Sequence, residues 1–175
     1  PSQRGLLTLV FNRVDHGPGS TFLFGLKPGD QVHFKGPAGS FRLRDDASRN
    51  LLFVATGTGI APIRSMLHTL LPQSTPQLVS LLWGLRAQRD LYYQEELREL
   101  TVRHPRFHCT ITLSRPDPGW TGPTGRVTAL VQERVKAVDN LAVYLCGNGG
   151  MIKDVTAIVH AKGLCPIYRE KYYDG

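Results

Sequence analysis

The chain has 175 residues, of which 41% are hydrophobic and 20% charged, a composition that excludes a largely disordered protein. Its length accommodates one α/β domain and part of a second, because domains usually contain roughly 100 to 200 residues. Twenty-one Lys and Arg against fourteen Asp and Glu give a net charge of +7. These basic residues are spread along the chain, so we expect a phosphate-bearing cofactor or an acidic protein partner and no nucleic acid.

The sequence also disfavours a membrane protein, a disulfide-stabilised protein and a metalloprotein. No apolar run approaches the roughly 18 to 20 residues that cross a bilayer, and the N-terminus has neither an initiator Met nor a signal-peptide pattern. We therefore expect no membrane span and a sequence that starts inside a longer protein. Cys109, Cys146 and Cys165 have no C-x-x-C spacing, which indicates a reducing cytoplasm. His104 and His108, the nearest histidine pair, are interrupted by a proline, so we predict no metal site.

The first 43 residues have the pattern of antiparallel β structure. Residues 6–14 are rich in Leu, Val, Phe and Thr, and residues 31–35 follow a Lys-Pro-Gly-Asp turn. Between them, residues 17–21 form a Gly-Pro-Gly-Ser-Thr loop. These strands are too few to close a barrel.

After residue 48 the pattern changes to alternating strands and helices. The predicted strands are residues 51–55, 77–83, 107–113, 141–146 and 167–172, and the predicted helices are residues 61–71, 94–103, 127–135 and 151–162. Four β-then-α steps in succession predict an α/β domain with a doubly wound, five-stranded parallel sheet.

The first predicted strand runs into the string T-G-T-G-I-A-P at residues 56–62. Ligands of such sheets bind beyond the carboxyl ends of the strands. Glycines there let the backbone approach a phosphate, and the N–H groups of the following helix point towards it. The string lacks the third glycine of G-x-G-x-x-G, so the alternative is an ordinary tight turn between strand and helix.

Five motifs in order carry a family resemblance. They are G-P-A-G-S-F at 36–41, T-G-T-G-I-A-P at 56–62, W-G-L-R at 83–86 with D-L-Y-Y at 90–93, C-G-N-G-G-M at 146–151, and E-K-Y at 170–172. In this order they resemble the ferredoxin-NADP reductase family. The resemblance implies that residues 1–46 are the last part of an FAD-binding β-barrel and that residues 47–175 are a ferredoxin reductase-like NAD(P)-binding domain.

The resemblance also implies which residues bind the nucleotide. The pyrophosphate and nicotinamide ribose would be held by Thr56, Gly57, Thr58, Gly59 and Pro62, with Thr58 near the nicotinamide. The second glycine turn would contribute Gly147 and Met151. The adenosine 2'-phosphate would contact Arg86, Ser114 and Arg115, which favours NADPH over NADH because an Arg fork suits a phosphate dianion.

Three catalytic residues follow from the same resemblance. Cys146 would lie against the nicotinamide ring, Glu170 would support proton handling beside the flavin, and Tyr172 would shield the flavin face. The alternatives are that Cys146 is a buried structural cysteine and that Glu170 and Tyr172 belong to an ordinary edge strand. Tyr173 could replace Tyr172 as the stacking residue.

For the flavin, Ser20 and Thr21 belong to a turn that resembles the family's G-x-x-S contact with the FAD pyrophosphate. The family's R-x-Y-[ST] segment is absent from the sequence. The resemblance thus implies an NAD(P)H-dependent flavoprotein reductase that passes electrons to a ferredoxin, flavodoxin or oxygenase component, with this chain inactive by itself. The alternative is a nucleotide-binding or electron-transfer module without catalytic activity.

Overall fold

A computed structural model of the protein describes residues 5–36, 38–73 and 75–173. The strands are β1 (Asn50–Thr56), β2 (Val79–Leu85), β3 (Phe107–Leu113), β4 (Leu141–Asn148) and β5 (Ile167–Tyr173). The helices are α1 (Pro18–Gly25), α2 (Ile60–Leu70), α3 (Gln94–Arg103), α4 (Val127–Arg134) and α5 (Gly149–His160). All strands pair in parallel in the order β3-β2-β1-β4-β5, which confirms the predicted five-stranded sheet.

Both faces of the sheet are covered by helices, which explains why the strands read as continuous apolar runs. Along β1, Leu51 and Phe53 pack with helices α2 and α3, whereas Leu52 and Val54 pack with α4 and α5 on the opposite face. The alternation follows from the two-residue period of a strand. Two separate cores therefore enclose the central strand.

The strand order places a change of direction between β1 and β4. Chain connections lead from β1 to β2 and β3 on one side, and β4 and β5 lie on the other. The connections diverge at this switch point and leave a crevice at the carboxyl ends of β1 and β4. The predicted glycine string follows β1 directly, so it lies at this crevice.

Local polar contacts explain where the boundaries differ from the sequence prediction. Strand β2 begins two residues later than expected because the Gln77 side chain donates to the backbone carbonyls of Asp46 and Arg49. Helix α5 begins two residues earlier because the Asn148 side chain accepts the N–H of Met151 and caps it.

The antiparallel strands predicted at residues 6–14 and 31–35 are not found among the described residues before residue 50. Backbone hydrogen bonds recorded there close local turns, and α1 is the regular element. A strand requires a hydrogen-bonded neighbour, and the exposed Leu6, Leu9 and Phe34 side chains have no sheet to pack on. Residues 1–4 of the predicted first domain and Pro37 of the G-P-A-G-S-F motif lie outside the described residues.

No helix in the described ranges is both long enough and apolar enough to cross a bilayer.

Candidate functional site

The first part of the site is the glycine turn, residues Gly57–Gly59, a single 3-10 turn that joins β1 to α2. Gly57 has φ +50°, a left-handed conformation that glycine adopts without strain. No side chain of the described residues caps this turn or the start of α2. The turn's N–H groups and the positive end of α2 therefore suit an anionic ligand.

The glycine turn packs backbone to backbone against the end of β4. A Cβ atom on Gly59 would overlap the carbonyl of Cys146, and one on Gly147, at φ +132°, would overlap the hydroxyl of Thr56. The Thr56 hydroxyl accepts the Asn148 N–H at 2.9 Å. Glycine at both positions thus allows two strand ends to meet closely enough to form one continuous cradle.

A buried aromatic side chain holds the glycine turn through a hydrogen bond. The indole of Trp83 is fully buried, and its Nε1–H donates to the Gly57 carbonyl at 3.1 Å. Tyr92 packs edge-to-face on that indole, with 4.9 Å between ring centroids. Sequence reasoning assigned no role to these two residues, although both lie in motifs that carried the family resemblance.

The predicted catalytic residues lie together at the carboxyl ends of β4 and β5. Cys146 and Glu170 are register partners, so their side chains are on the same face, and Tyr172 lies where the register of β5 shifts opposite Gly147 and Asn148. The Tyr172 hydroxyl and the Cys146 thiol are close enough for each to affect the pKa of the other. The structure therefore brings these three residues together at the crevice.

Burial raises the pKa of the Cys146 thiol to about 12, and the carboxylate of Glu170 adds to the increase. Burial also raises the pKa of Tyr172 to about 12. Both groups are neutral at physiological pH. Cys146 is therefore a buried, protonated packing group and not a thiolate nucleophile.

Tyr173 reaches a different part of the crevice. Its hydroxyl lies 3.3 Å from the position that a Cβ atom on Gly57 would occupy. Tyr172 thus contacts the β4 end of the site and Tyr173 the glycine turn. Both tyrosines remain candidates for the residue that stacks on a cofactor ring.

The adenosine-end residues come together where β2 and β3 end. The Ser114 N–H donates to the Leu85 carbonyl at 3.0 Å, and the Arg115 N–H donates to the Arg86 carbonyl at 2.7 Å. Arg86, Ser114 and Arg115 are all exposed. Within the described part of the chain, neither arginine side chain has a recorded hydrogen bond or ion pair, so both guanidinium groups can meet a phosphate.

Three other predicted residues have different surroundings. Met151 is buried in the core beneath α5, so its side chain does not line the crevice. Pro62 lies in the first turn of α2, where a missing N–H is tolerated. Ser20, in α1, accepts the Val14 N–H at 3.1 Å and donates to the Gly17 carbonyl, so its hydroxyl serves its own turn.

Thr21 follows Ser20 in α1 and donates its backbone N–H to the Gly17 carbonyl at 3.0 Å. The contact of Ser20 and Thr21 with a flavin therefore stays a prediction. Throughout the ranges the structure describes, no three His, Cys, Asp or Glu side chains group as metal ligands would.

Comparison with known proteins agrees with this geometry. The family model of an oxidoreductase NAD-binding domain matches residues 53–157, and that of an oxidoreductase FAD-binding domain matches residues 1–43. The chain belongs to the ferredoxin-NADP reductase family. This family of FAD/NAD(P)-binding oxidoreductases accounts for the glycine turn, the strand order and the cysteine turn at the end of β4.

Relatives within the family include ferredoxin–NADP reductase B of Sorangium cellulosum, 34% identical over 160 residues, covering 88% of this chain and 66% of the relative. The toluate 1,2-dioxygenase electron transfer component of Pseudomonas putida is 31% identical, with 96% of this chain and 50% of that protein covered. A solved cytochrome P450 reductase from Amycolatopsis superposes with a TM-score of 0.83 at 29% identity, covering 93% of this chain and 51% of that one. The chain thus spans about two thirds of the first relative and half of the other two.

Proposed function

We propose that this chain is the nucleotide-binding part of an NAD(P)H-dependent flavoprotein reductase. In this role a hydride passes from NADPH to FAD, and electrons then pass to a carrier protein or oxygenase component. The observation that carries the proposal is the contact between the glycine turn and the end of β4, which puts a phosphate cradle and Cys146 at one crevice. One relative named a ferredoxin–NADP reductase and one named an electron transfer component support the same reaction class.

Binding of the dinucleotide follows from the cradle. Its pyrophosphate would accept hydrogen bonds from the uncapped N–H groups at Gly57, Thr58 and Gly59. The positive end of the α2 dipole would stabilise its negative charge. The Thr58 side chain would lie towards the nicotinamide. The Thr56 hydroxyl, already bonded to Asn148, would hold the cradle closed and make no direct ligand contact.

Cys146, Glu170 and Tyr172 would align the nicotinamide. The flavin, when bound, supplies the hydride acceptor, so this chain needs no acid–base triad of its own. The neutral, polarizable thiol of Cys146 would contact the nicotinamide ring without adding a charge and would help to fix the distance of the ring from the acceptor. Glu170 would hold or release a proton at the edge of the site, and Tyr172 would cover the ring that the nicotinamide must meet.

We further propose that NADPH is preferred to NADH. The preference rests on the exposed guanidinium groups of Arg86 and Arg115, which have no hydrogen-bond or ion-pair partner among the described residues, beside the Ser114 hydroxyl. A planar guanidinium binds a phosphate dianion through paired N–H donors. An NAD-selective site more often presents a carboxylate to the ribose hydroxyls.

The net charge of +7 favours an acidic electron-carrier protein as the partner, such as a ferredoxin, a flavodoxin or an oxygenase component. Three cysteines without paired spacing favour the cytoplasm as the location. The boundary between the flavin-binding and nucleotide-binding parts is proposed at residues 46 and 47.

Stopped-flow reduction of the flavin tests the proposal in a protein that carries this chain with a flavin-binding domain. NADPH should bleach the flavin absorbance, and Cys146→Ser should slow that step more than it weakens NADPH binding. Thr156→Ser, which removes one methyl group from a half-buried position of α5 and keeps the hydroxyl, is the control and should leave both unchanged. A larger effect of Cys146→Ser on binding than on flavin reduction would refute the role of the thiol.

The second candidate is a nucleotide-binding module without catalytic activity, because the hydroxyl of Ser20, a predicted flavin contact, is engaged within its own turn. It predicts that the protein binds NADPH and never reduces ferricyanide, even when FAD is in excess. NADPH-dependent ferricyanide reduction by the flavin-loaded protein would exclude it.

A further inference from the structure

The orientation of one peptide group in the glycine turn is fixed from the core side. The carbonyl of Gly57 accepts two donors, the Trp83 indole N–H at 3.1 Å and the backbone N–H of Ile60. Because Trp83 is fully buried, this carbonyl points into the protein. Two donors on one oxygen leave the peptide plane little freedom to rotate.

The same peptide group carries the N–H of Thr58. In a planar trans peptide, the carbonyl oxygen and the following N–H point in opposite directions. A Gly57 carbonyl held towards the core therefore directs the Thr58 N–H outwards, to the side where the turn is uncapped. The indole thus determines where one of the cradle's donors points, although it touches no ligand itself.

Trp83 is itself held in place by a series of stacked side chains. Tyr92 packs edge-to-face on the indole at 4.9 Å, and Tyr93 packs on Tyr92 at 5.2 Å. The guanidinium of Arg64 lies 4.5 Å from the Tyr93 ring centroid and makes a two-pronged ion pair with Glu96. This support makes rotation of the indole away from Gly57 unfavourable.

We propose that Trp83 is a positioning residue for the dinucleotide pyrophosphate, acting through the Gly57–Thr58 peptide group. The inference rests on the proposed nucleotide-binding function and names a determinant of affinity within it. A buried indole N–H without an acceptor is unfavourable, so Trp83 and the turn stabilise each other's position. The contribution is directed at the pyrophosphate and not at the adenosine 2'-phosphate, which belongs to the ends of β2 and β3.

Two ligands separate positioning from general core packing. NADP+ carries the pyrophosphate, whereas adenosine 2'-monophosphate carries only the phosphate that Arg86 and Arg115 would bind. In calorimetric titrations, Trp83→Phe should raise the Kd of NADP+ about five- to tenfold and leave that of adenosine 2'-monophosphate unchanged. Equal weakening of both ligands, or no change in either, would overturn the proposal.

Tyr92→Phe is the matched control, because it keeps the ring on Trp83 and removes a buried hydroxyl for which no partner is found among the described residues. It should bind both ligands as the unaltered protein does. If Trp83→Phe does not fold, site-specific benzothienylalanine at position 83 replaces the N–H by sulfur in a ring of the same shape and makes the same comparison.

An amide NMR spectrum separates this proposal from the proposed function. If the unaltered protein binds neither ligand, the proposed function fails, and the peptide orientation is still tested by the Thr58 amide. The chemical shift of the Thr58 amide should change in Trp83→Phe and remain unchanged in Tyr92→Phe. A Thr58 resonance that is unchanged in Trp83→Phe would show that the indole does not orient this peptide.

Discussion

The Thr56 hydroxyl accepts the backbone N–H of Asn148 at 2.9 Å, which ties the last residue of β1 to the last residue of β4. These two strands separate at the switch point of the sheet, where the crevice opens. Asn148 also caps α5 through its side chain. Thr56 therefore links the end of β1 to the end of β4 and to the start of α5.

Replacing Thr56 by Val should destabilise the fold. The change keeps the side-chain shape but leaves the Asn148 N–H without an acceptor, which costs about 1 to 2 kcal/mol in the free energy of unfolding. Urea unfolding followed by circular dichroism measures this value. Thr56→Ser keeps the hydroxyl and should lose less unfolding free energy than Thr56→Val. Equal losses of unfolding free energy in the two variants would contradict the role of the hydrogen bond.

Gly59→Ala should damage stability and nucleotide binding together. The added methyl group overlaps the Cys146 carbonyl, so the two strand ends must separate, with a loss of about 2 kcal/mol in unfolding free energy. NADP+ affinity should fall at least tenfold in calorimetry, because the cradle widens. Gly19→Ala in α1 meets no atom within 4 Å and should leave both measurements unchanged.

Alkaline pH should destabilise the protein through Cys146. Its pKa is about 12 in the fold against an ordinary value of 9.0, so the unfolded chain releases this proton first. The stabilising contribution is complete below about pH 9 and is lost as the pH rises towards 12. Unfolding free energies between pH 8 and 10.5 should decline less steeply in Cys146→Ser, by up to about 1.4 kcal/mol per pH unit. Parallel declines would contradict the burial of a protonated thiol.

The two exposed arginines should separate NADP+ from NAD+. Arg115→Ala is expected to raise the Kd of NADP+ about tenfold, with little change for NAD+, because only NADP+ carries the 2'-phosphate. Arg86→Ala should act in the same direction. Arg98→Ala, at an exposed ion pair with Glu95 on α3, is the control. Equal weakening of both nucleotides would argue that the arginines do not bind the 2'-phosphate.

Much of the nucleotide-binding half was predictable because its signals are local. The apolar run from Leu51 to Ala55 and the glycines that follow identify a buried strand and a phosphate turn without knowledge of the rest of the chain. The convergence of Cys146 with Gly59 then follows from the topology, since parallel strands end at one edge. In the structure β1 and β4 are neighbours in the sheet, so their carboxyl ends lie side by side.

Other features depend on contacts between residues that are distant in sequence. Trp83 in β2 has the pattern of an ordinary core residue, and only the structure reveals its bond to Gly57, 26 residues away. Met151 belongs to a cofactor-turn motif, yet its side chain completes the core under α5. Residues 6–14 have strand composition but find no neighbouring strand in the described part of the chain, so their propensity is not realised.

Gly57–Gly59 and the end of β4 are proposed to form one backbone cradle for a dinucleotide. Titration of the 15N-labelled protein with NADP+, followed by amide chemical shifts, tests it most directly. We expect the largest shifts at Thr58, Gly59 and Gly147, with a second group at Ser114 and Arg115. Saturating NADP+ that leaves the glycine-turn amides unmoved, or shifts that cluster on another surface, would contradict the account.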